Sequence, residues 1–366
     1  MSKAILTLNA GSSTVKYALF DAVTRAERQR GTLEETGASA MGKALEVCRT
    51  AGVEVVGVGH RVVHGGTRFS SPARIDDEVL SALQGFIPLA PLHQPHNVAG
   101  ITAARAAFPG VPQVACFDTA FHRTRAEVEE TYALPRALFD QGVRRFGFHG
   151  LSYEYVAGAL VTVAPALAKA RVVIAHLGSG ASMCAVRDGK SVASTMGFST
   201  LDGVPMGTRP GALDPGVVLY LLGQKGLTVS QVEALLYKES GLKGLSGLSN
   251  DMRALLASDA PQAALAVEYF VTRCAREVAS LATALGGLDG LVFTAGIGER
   301  SSAIRARIVA QLDWLGLSVD PRANEANATV ISSASSRAQV LVVPTNEERC
   351  IADAVASLIA WGHAPH

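Results

Sequence analysis

Residues 3–21 read KAILTLNAGSSTVKYALFD, and this stretch decides how the first half of the chain folds. Two short apolar runs, residues 3–8 and 17–21, flank a cluster of asparagine, glycine and hydroxyl residues at positions 9–14. This pattern predicts two strands joined in the manner of a hairpin. Downstream, helical spacing at residues 38–50, 76–83 and 98–108 alternates with strand-like runs at 53–58 and 111–117. Such alternation predicts an α/β domain.

The second half of the chain opens in the same way. An apolar run at residues 171–177 is followed by the turn Gly178-Ser179-Gly180, a returning run at 182–187 and a third run at 191–195. Two such openings about 170 residues apart indicate a duplicated domain. Because no proline-rich or serine-rich linker separates the halves, we expect a hinge near Gly150.

Length and composition exclude several classes of protein. A chain of 366 residues with 48% hydrophobic residues favours two folded domains over a disordered chain. The 33 basic and 32 acidic side chains leave a net charge of +1, so neither nucleic acid nor a membrane surface is an expected partner. No apolar run approaches the roughly 18 residues of a membrane span. Five scattered cysteines without a CxxC pair favour a reducing compartment, the cytoplasm.

Three turns rich in glycine or hydroxyl residues are candidate phosphate-binding sites, because such turns expose backbone N–H groups. They lie at residues 9–16, 176–180 and 296–298. None has the Walker A spacing, and the third lacks the last glycine of a Rossmann fingerprint. The first turn places an amide, hydroxyls and the Lys16 ammonium within eight residues, a set suited to the terminal phosphates of a Mg-nucleotide. Each turn taken alone is more often structural.

Several charged residues are candidates for chemistry. Arg61 and Arg209 lie near glycines, which would let a guanidinium approach an anion, although a surface ion pair is the competing interpretation for each. His149 has a hydrogen-bonded core histidine as its competing interpretation. Asp118 follows an apolar strand, where parallel sheets place catalytic groups. Glu347 and Glu348 are expected in the first turn of the last helix, where one of them would cap it and the other would stay free for a metal or water.

Taken together, the motifs resemble those of the acetokinase family. They follow the family order from the first strand to residue 348, and the matching segments are LTLNAGSSTVKYALF, GHRVVHGG, APLHQPHN, FDTAFH, RFGFHG, AHLGSGAS, MGTRPGALDPG, LSNDMR, FTAGIGER and PTNEE. The resemblance implies an enzyme that reversibly transfers a phosphoryl group between ATP and acetate, giving ADP and acetyl phosphate, with Mg²⁺ or else Mn²⁺. It also implies two duplicated α/β domains of the actin, sugar-kinase and heat-shock-ATPase (ribonuclease H-like) type around a nucleotide cleft.

The resemblance further implies a domain organisation and a partner. The first domain would comprise residues 1–150 with 351–366. The second, residues 151–350, would bind nucleotide and form a homodimer.

The resemblance also implies site residues, carried over position by position. Asn9 and Glu347 would hold the metal, and Ser12, Ser13 and Lys16 would lie near the phosphates. Arg61 and Arg209 would grip the acetate or the transferring phosphoryl group, His149 would bond an equatorial oxygen, and Asp118 would orient the reacting oxygen. Val63, Leu92 and Phe148 would line the acid pocket, with Thr200 where a proline is usual. The nucleotide would be bound by His176, Leu177, Gly178, Ser179, Gly180, Asp251, Met252, Arg253, Gly296, Ile297, Gly298, Glu299 and Arg300.

Some positions depart from the family pattern, and two alternatives stay open. Ser179 and Arg300 both replace asparagines, and the chain is shortened between residues 21 and 59. One alternative is a kinase for propionate or another short-chain carboxylate, because one methylene changes binding by only about 1–3 kcal/mol. The other is a non-catalytic, actin-like nucleotide switch.

Overall fold

Two mixed β-sheets, one in each of two units of the chain, form the frame of this protein. The computed structural model describes residues 2–11 and 14–360. Contacts divide the chain into unit 1, which is Met1–Arg123, Phe148–Tyr155 and Asn346–His366, and unit 2, which is Thr124–Gly147 and Val156–Thr345. The domain boundaries expected from the sequence, 1–150 with 351–366 and 151–350, stay a prediction.

The strands are short and mostly buried. In chain order they are β1 Ser2–Ala10, β2 Val15–Asp21, β3 Glu27–Leu33, β4 Val53–Val62, β5 Ala73–Arg74, β6 Gln113–Phe117, β7 Val172–Leu177, β8 Ala181–Arg187, β9 Lys190–Ser194, β10 Gly290–Thr294 and β11 Gln339–Val342.

The helices vary from four residues to twenty-five. They are α1 Gly37–Thr50, α2 Asp77–Gly85, α3 Gln94–Ala107, α4 Glu127–Glu130, α5 Arg136–Asp140, α6 Gly150–Val163, α7 Pro215–Gly223, α8 Val229–Ala234, α9 Gly241–Ser246, α10 Met252–Leu256, α11 Pro261–Leu285, α12 Ala295–Arg300, α13 Ser302–Ala310, α14 Pro321–Glu325 and α15 Glu347–Ala360. Short 3₁₀ turns occur at Ile87–Leu89, Ala120–Thr124, Pro165–Leu167 and Asp313–Leu315, and a π-helical turn occurs at Leu235–Glu239.

The two sheets repeat one strand pattern. In unit 1 the order is β3-β2-β1-β4-β6-β5, and in unit 2, taken from the other edge, it is β9-β8-β7-β10-β11. In both sheets the first three strands are antiparallel, and the third pairs in parallel with the fourth and the fourth with the fifth. Only the short β5, antiparallel to β6, has no counterpart among the described strands of unit 2. This agreement confirms the duplication expected from the two similar openings.

The core of unit 1 joins the two ends of the chain. Ile5 and Phe20 of the first hairpin pack in one apolar cluster with Ile351 and Val355 of α15. The strand β4 is glycine-rich because the helix lies directly on it. A Cβ at Gly57 would lie 2.3 Å from a methyl carbon of Ile359, and one at Gly59 2.3 Å from a methyl carbon of Ile351.

Most predicted elements are confirmed within a few residues. Residues 296–298, expected to form a turn, lie in helix α12 instead. Ala295, the first residue of α12, directly follows β10 and has a φ of +63°, so no separate turn precedes the helix. The elements that were not predicted are β3, β5, α4, α5, α6, α9, α10 and α14. Within residues 2–11 and 14–360, no helix combines the length and the apolar character that a membrane crossing requires.

Candidate active site

Arg61 and Asp118 meet at the carboxyl edge of the unit 1 sheet. Arg61 is the penultimate residue of β4, and Asp118 directly follows the parallel neighbour β6. The Asp118 backbone N–H donates to the Val62 carbonyl at 3.0 Å, so the pairing continues one residue past β6. Arg61 donates from Nε to Oδ1 of Asp118 at 2.9 Å and from Nη2 to Oδ2 at 2.7 Å. This two-point fork fixes the plane of the guanidinium.

Glu347 extends the Arg61–Asp118 pair into a three-residue cluster. Its Oε2 lies 3.6 Å from Nη1 of Arg61, and its side chain is 16% exposed. It occupies the first turn of α15, as expected from the sequence. The cap itself comes from Asn346, whose side-chain oxygen accepts from the Arg349 N–H at 3.0 Å. The Glu347 carboxylate is therefore directed to Arg61 while a neighbour caps the helix.

Burial and charge compete in this cluster. Burial lowers the pKa of the Arg61 guanidinium. The negative charges of Asp118 and Glu347 raise it by more, so the net shift is upward. Burial raises the pKa of the Asp118 carboxyl, which is 2% exposed, and Arg61 offsets part of that increase. Glu347 raises the pKa of Asp118 further, and His93 lowers it. The negative charge of Asp118 therefore depends on the arginine.

His149 is held beside Asp118 by the backbone. The N–H of Gly150 donates to the Asp118 carbonyl at 2.8 Å, and a Cβ on Gly150 would lie only 2.2 Å from that oxygen. His149 itself has a positive φ of 56°, an uncommon conformation for a residue with a side chain. The half-buried imidazole is thus presented by a strained turn just before α6.

The predicted acid-pocket residues of unit 1 lie in buried or half-buried positions. Phe148 is 1% exposed, and its ring meets His64 edge-on with 5.6 Å between centroids. Burial lowers the pKa of His64 to about 4, so this wall of the pocket is uncharged at neutral pH. Val63 and Leu92 are half-buried in loops that follow β4 and precede α3.

Asn9 and Lys16 face each other across the first hairpin. Asn9 of β1 is paired directly with Lys16 of β2. Residues that oppose each other in an antiparallel pair project to the same face of the sheet. The turn closes with the Gly11 N–H donating to the Thr14 carbonyl at 2.9 Å. The predicted phosphate contacts Ser12 and Ser13 lie outside the described residues.

Arg209 lies in unit 2, on the loop before α7. Its Nη1 donates to the Thr200 carbonyl at 2.9 Å, which ties the predicted catalytic arginine to the predicted pocket residue. The Arg209 carbonyl accepts from the Met206 N–H at 3.0 Å. Gly207 then donates to the Ser179 carbonyl at 3.0 Å, so this loop is bonded to the β7–β8 turn.

A cavity of about 750 Å³ opens in unit 2 between the β7–β8 turn, α10 and α12. It is lined by these predicted nucleotide-binding residues: Gly178, Ser179, Asp251, Met252, Arg253, Gly296, Ile297 and Arg300. Leu256 and Ala257 add an apolar patch, and Arg253 forms an ion pair with Asp251 at 2.7 Å. The volume and the mixture of apolar, hydroxyl and cationic groups suit a nucleotide.

Five other predicted nucleotide-binding residues do not line this cavity: His176, Leu177, Gly180, Gly298 and Glu299. The first two lie buried in β7. Glu299 accepts from the N–H groups of Ala295 at 2.8 Å and Thr345 at 3.1 Å, which shapes the strand end around the cavity. Their predicted contact with nucleotide stays a prediction.

The donor atoms of unit 1 suit Mg²⁺, which prefers hard oxygen ligands and keeps several waters. Asp118 and Glu347 supply carboxylates close to one another, and Asn9 supplies an amide oxygen. Among the residues that the structure describes, no group of three or more His, Cys, Asp or Glu side chains could hold a metal. A magnesium ion here would therefore take most of its ligands from water and phosphate.

A family model described as the acetokinase family matches residues 34–353. The chain belongs to the acetokinase family. An acetate kinase of Methylocella silvestris is 51% identical to it over 96% of this chain and 97% of the relative. The crystal structure of a propionate kinase from Francisella tularensis matches with a TM-score of 0.91 and 38% identity, over 98% of this chain and all of the other. The crystal structure of Porphyromonas gingivalis acetate kinase matches with a TM-score of 0.89 and 34% identity, again over 98% of this chain and all of the other.

The family match confirms the family expected from the motifs, and the solved structures confirm the duplicated α/β fold. The family match also confirms the expectation of a phosphotransferase with a carboxylate acceptor. Some residues near these sites were not predicted from the sequence. Asn250 and the Ser301–Ala303 segment line the nucleotide cavity, and His93 acts on Asp118 electrostatically. A signal was present for the first, since Asn250 belongs to the LSNDMR motif.

Proposed function

We propose that this chain transfers the terminal phosphoryl group of ATP to acetate, giving ADP and acetyl phosphate, and catalyses the reverse reaction. The observation that carries the proposal is the near full-length likeness to a relative named acetate kinase. An oxygen of the acetate carboxylate attacks the terminal phosphorus, and the bond to the bridging oxygen of ADP breaks. No proton has to move, because acetate is already ionised at neutral pH. Catalysis then consists of alignment and charge neutralisation.

In this proposal Arg61 binds the acetate carboxylate or the transferring phosphoryl group. Its fork with Asp118 uses Nε and Nη2, which leaves Nη1, 3.6 Å from Glu347, directed away from the fork. Asp118 thus acts as an orienting group for the guanidinium and the reacting oxygen. Val63, Leu92 and Phe148 form the apolar wall that holds the methyl group of acetate.

Arg209 and His149 supply the remaining fixed donors. Arg209 keeps one nitrogen on the Thr200 carbonyl, so its guanidinium is oriented before substrate binds. Donors that are already in place stabilise developing charge on equatorial phosphoryl oxygens without reorganisation. His149, fixed by the Gly150 bond to Asp118, would bond one of those oxygens. In this proposal each of these donors neutralises charge that develops on the phosphoryl oxygens in the transition state.

Nucleotide and metal complete the proposed site. The unit 2 cavity would hold ATP or ADP, and Lys16 with Ser12 and Ser13 would contact the phosphates. Asn9 and Glu347 would hold Mg²⁺, with Mn²⁺ as a possible substitute. The ion, when bound, neutralises phosphate charge and orients the terminal phosphoryl group. Asn9 is at the end of β1 and Glu347 at the start of α15, so each presents its oxygen from a fixed element.

The substrate assignment is tested by initial rates with acetate, propionate and butyrate, coupled to ADP release. We expect the highest kcat/KM with acetate. A higher kcat/KM with propionate would change the proposed substrate from acetate to propionate and leave the proposed phosphoryl transfer unchanged. Nucleotide binding with no turnover of any acid would support the nucleotide-switch alternative and overturn the proposed activity.

The metal assignment is tested by a pair of variants at the start of α15. Glu347→Gln should raise the Mg²⁺ concentration needed for half-maximal rate several-fold and change thermal stability little. Asn346→Ala removes the helix cap and should lower stability by about 0.5–2 kcal/mol while leaving the Mg²⁺ dependence unchanged. Mg²⁺ titrations and melting curves on both variants separate the two roles. A normal titration for Glu347→Gln would remove Glu347 from the metal site.

Assembly, location and domain organisation form the remaining part of the proposal. A homodimer through the second domain, residues 151–350, is supported by α7 of unit 2, whose Leu219 and Tyr220 are 70% and 51% exposed. Apolar surface of this kind marks an interaction site. A cytoplasmic location is supported by the cysteines, because none of the five forms a disulfide. The first domain is proposed as residues 1–150 with 351–366.

A further inference from the structure

Asn97, in the first turn of α3, bridges two segments of unit 1 that carry different parts of the proposed site. Its Nδ2 donates to the carbonyl of Ala10 at 3.1 Å, and its Oδ1 accepts from the N–H of Val63 at 3.0 Å. The side-chain orientation is determined, because only the amide nitrogen can donate to a carbonyl and only the oxygen can accept from an N–H. The Asn97 side chain is buried, at 4% exposed, while its partners Ala10 and Val63 are half-buried.

The bridge lies where the strand pairing ends. β1 and β4 are parallel neighbours, and their last paired residues are Leu8 and His60. Ala10 and Val63 lie beyond that point, where the two strands no longer bond to each other. The planar amide of Asn97 therefore takes over from the sheet in fixing the distance between the two chain segments.

The helix that carries Asn97 is itself held against both segments. A Cβ on Gly100, one turn further along α3, would lie 2.8 Å from the Cβ of Ala10, so the helix backbone lies directly on the hairpin. Gln94, which is fully buried, donates from Nε2 to the carbonyls of His64 and Leu83, both at 3.2 Å. Asn97 is thus placed by a helix that is packed and hydrogen-bonded against the neighbouring segments.

We infer that Asn97 is a positioning residue that couples the metal and phosphate segment to the carboxylate-binding segment. Ala10 adjoins Asn9, which we propose as a metal contact, and Val63 lies two residues after Arg61. A shift of either segment would change the distance between the attacking carboxylate and the Mg-nucleotide. This inference rests on the proposed function for the roles of the two segments, whereas the bridge itself does not depend on the reaction.

Two substitutions distinguish the two hydrogen bonds of the bridge, the arm to Ala10 and the arm to Val63. Asn97→Asp keeps the oxygen that accepts from Val63 and replaces the donor to Ala10 by a second acceptor. It should raise the half-saturating Mg-ATP concentration at least 10-fold and change the KM for acetate less than about 2-fold. Asn97→Ala loses both arms and should raise both constants and lower kcat by 10-fold or more. Asn97→Asp is nearly isosteric but buries a charge that faces the Ala10 carbonyl, so the uncharged Asn97→Ser, expected to behave like Asn97→Ala, keeps the test available if either variant does not fold.

The matched control is Gln113→Met. Gln113 is another buried amide of unit 1, 4% exposed, with its oxygen 2.8 Å from Nε2 of His60. This variant should lower the melting temperature and leave both substrate constants within about 2-fold of wild type. If the Asn97 variants behave like this control, Asn97 has only a structural role and the inference is overturned.

Hydrogen exchange provides a readout that does not need turnover. In the wild type, Mg-ATP should slow exchange in residues 8–11 and, through the bridge, in residues 61–64. In Asn97→Ala the first segment should still respond and the second should not. If the wild type turns over no acid but Mg-ATP still slows exchange in residues 61–64, only the proposed function is overturned. Equal responses of residues 61–64 in wild type and variant would overturn the role of Asn97 alone.

Discussion

At the scale of single residues, the site depends on one buried charge that another residue keeps ionised. Asp118 is 2% exposed, and the Arg61 fork is its main compensation. Burying a charge without a partner is costly, whereas a paired and hydrogen-bonded charge is tolerated. The fork therefore stabilises unit 1 as well as orienting the guanidinium.

Removing Arg61 should accordingly change both activity and stability. Arg61→Ala should lower kcat/KM for acetate at least about 10²-fold, and Arg61→Lys should recover little because a point charge cannot form the fork. Arg61→Ala should also cost about 3–5 kcal/mol of unfolding free energy at neutral pH. Without the arginine the folded pKa of Asp118 lies further above its unfolded value, so stability should fall as the pH rises through that folded pKa. Melting curves across pH measure this.

The double variant Arg61→Ala with Asp118→Asn provides the control. It removes the buried charge together with its partner, so most of the lost stability and the pH dependence of that loss should be restored, while activity stays low. A double variant no more stable than Arg61→Ala would contradict the charge-burial account.

A second prediction at this scale concerns two buried histidines. Burial lowers the pKa of His60 and of His64 from 6.5 to about 4. The folded state therefore binds fewer protons than the unfolded state between pH 6.5 and 4, and stability is lost as the pH falls through that range. At pH 5 each histidine should cost roughly 2 kcal/mol relative to pH 7. Denaturant titrations at pH 7, 6 and 5 should show this loss, and His60→Gln should reduce it by about half.

The residue scale also shows what the sequence could and could not provide. The motifs predicted Arg61, Asp118 and Glu347 as separate candidates, because each follows a strand or starts a helix beside glycine or polar residues. Their cluster was not predictable from the chain alone, since 57 residues separate Arg61 from Asp118 and only the parallel register of β4 and β6 brings them together. Asn97 was missed because an amide in a first helical turn usually has a local partner.

At the scale of elements, the start of α6 controls the position of His149. Gly150→Ala would place a Cβ 2.2 Å from the Asp118 carbonyl oxygen, so the backbone has to move. We expect this variant to lose at least 10-fold in kcat and to be less stable than wild type. Gly158→Ala on the same helix is the matched control, because no atom of the described residues outside the helix backbone lies within 4 Å of the added methyl group.

The control should have the opposite effect on stability. Alanine is favoured over glycine in a helix interior by about 0.5–1 kcal/mol, so Gly158→Ala should melt slightly higher and retain full activity. Comparing kcat and melting temperature of the two variants distinguishes close backbone packing from general helix propensity. Normal activity in Gly150→Ala would contradict the proposed positioning of His149.

Among the elements, the predicted strands and helices with apolar periodicity are confirmed, whereas the polar strand β3 and the apolar helix α6 were both missed. Strand β3 has the sequence ERQRGTL and is mostly exposed, so alternation gave no signal. It forms because β2 offers an edge with which it pairs, and because Gly31 lets the Tyr17 ring approach. A Cβ at Gly31 would lie 2.8 Å from a carbon of that ring. Such tertiary pairing overrides local preference.

At the scale of the whole molecule, the apolar surface of α7 leads to a prediction about assembly. We expect sedimentation equilibrium to give twice the mass of one chain, and Leu219→Glu to shift the mass towards that of one chain. Val23→Glu is the control, because Val23 is 78% exposed in unit 1 and lies outside α7. A wild type with the mass of one chain at micromolar concentration would contradict the homodimer.

The overall architecture was the most predictable level of all. Two similar strand–turn–strand openings were sufficient to expect a duplicated α/β fold, and the two sheets share the order and directions of five strands. The membership of residues 124–147 in unit 2 could not be obtained in this way, because contacts and not sequence order decide which unit a segment joins. Residues 351–366 were assigned to the first domain through the family resemblance and not through the two openings.

The packing of α15 on β4 has a consequence for synthesis on the ribosome. The glycines at 57 and 59 leave a trough that Ile351, Val355 and Ile359 fill, and these residues are translated after all of unit 2. Nearly all of unit 2 is thus synthesised while the sheet of unit 1 still lacks the helix that covers it. During that interval the nascent chain exposes an apolar sheet face to its surroundings. A premature stop shortly before residue 347 should therefore leave a product that chaperones retain and proteases remove.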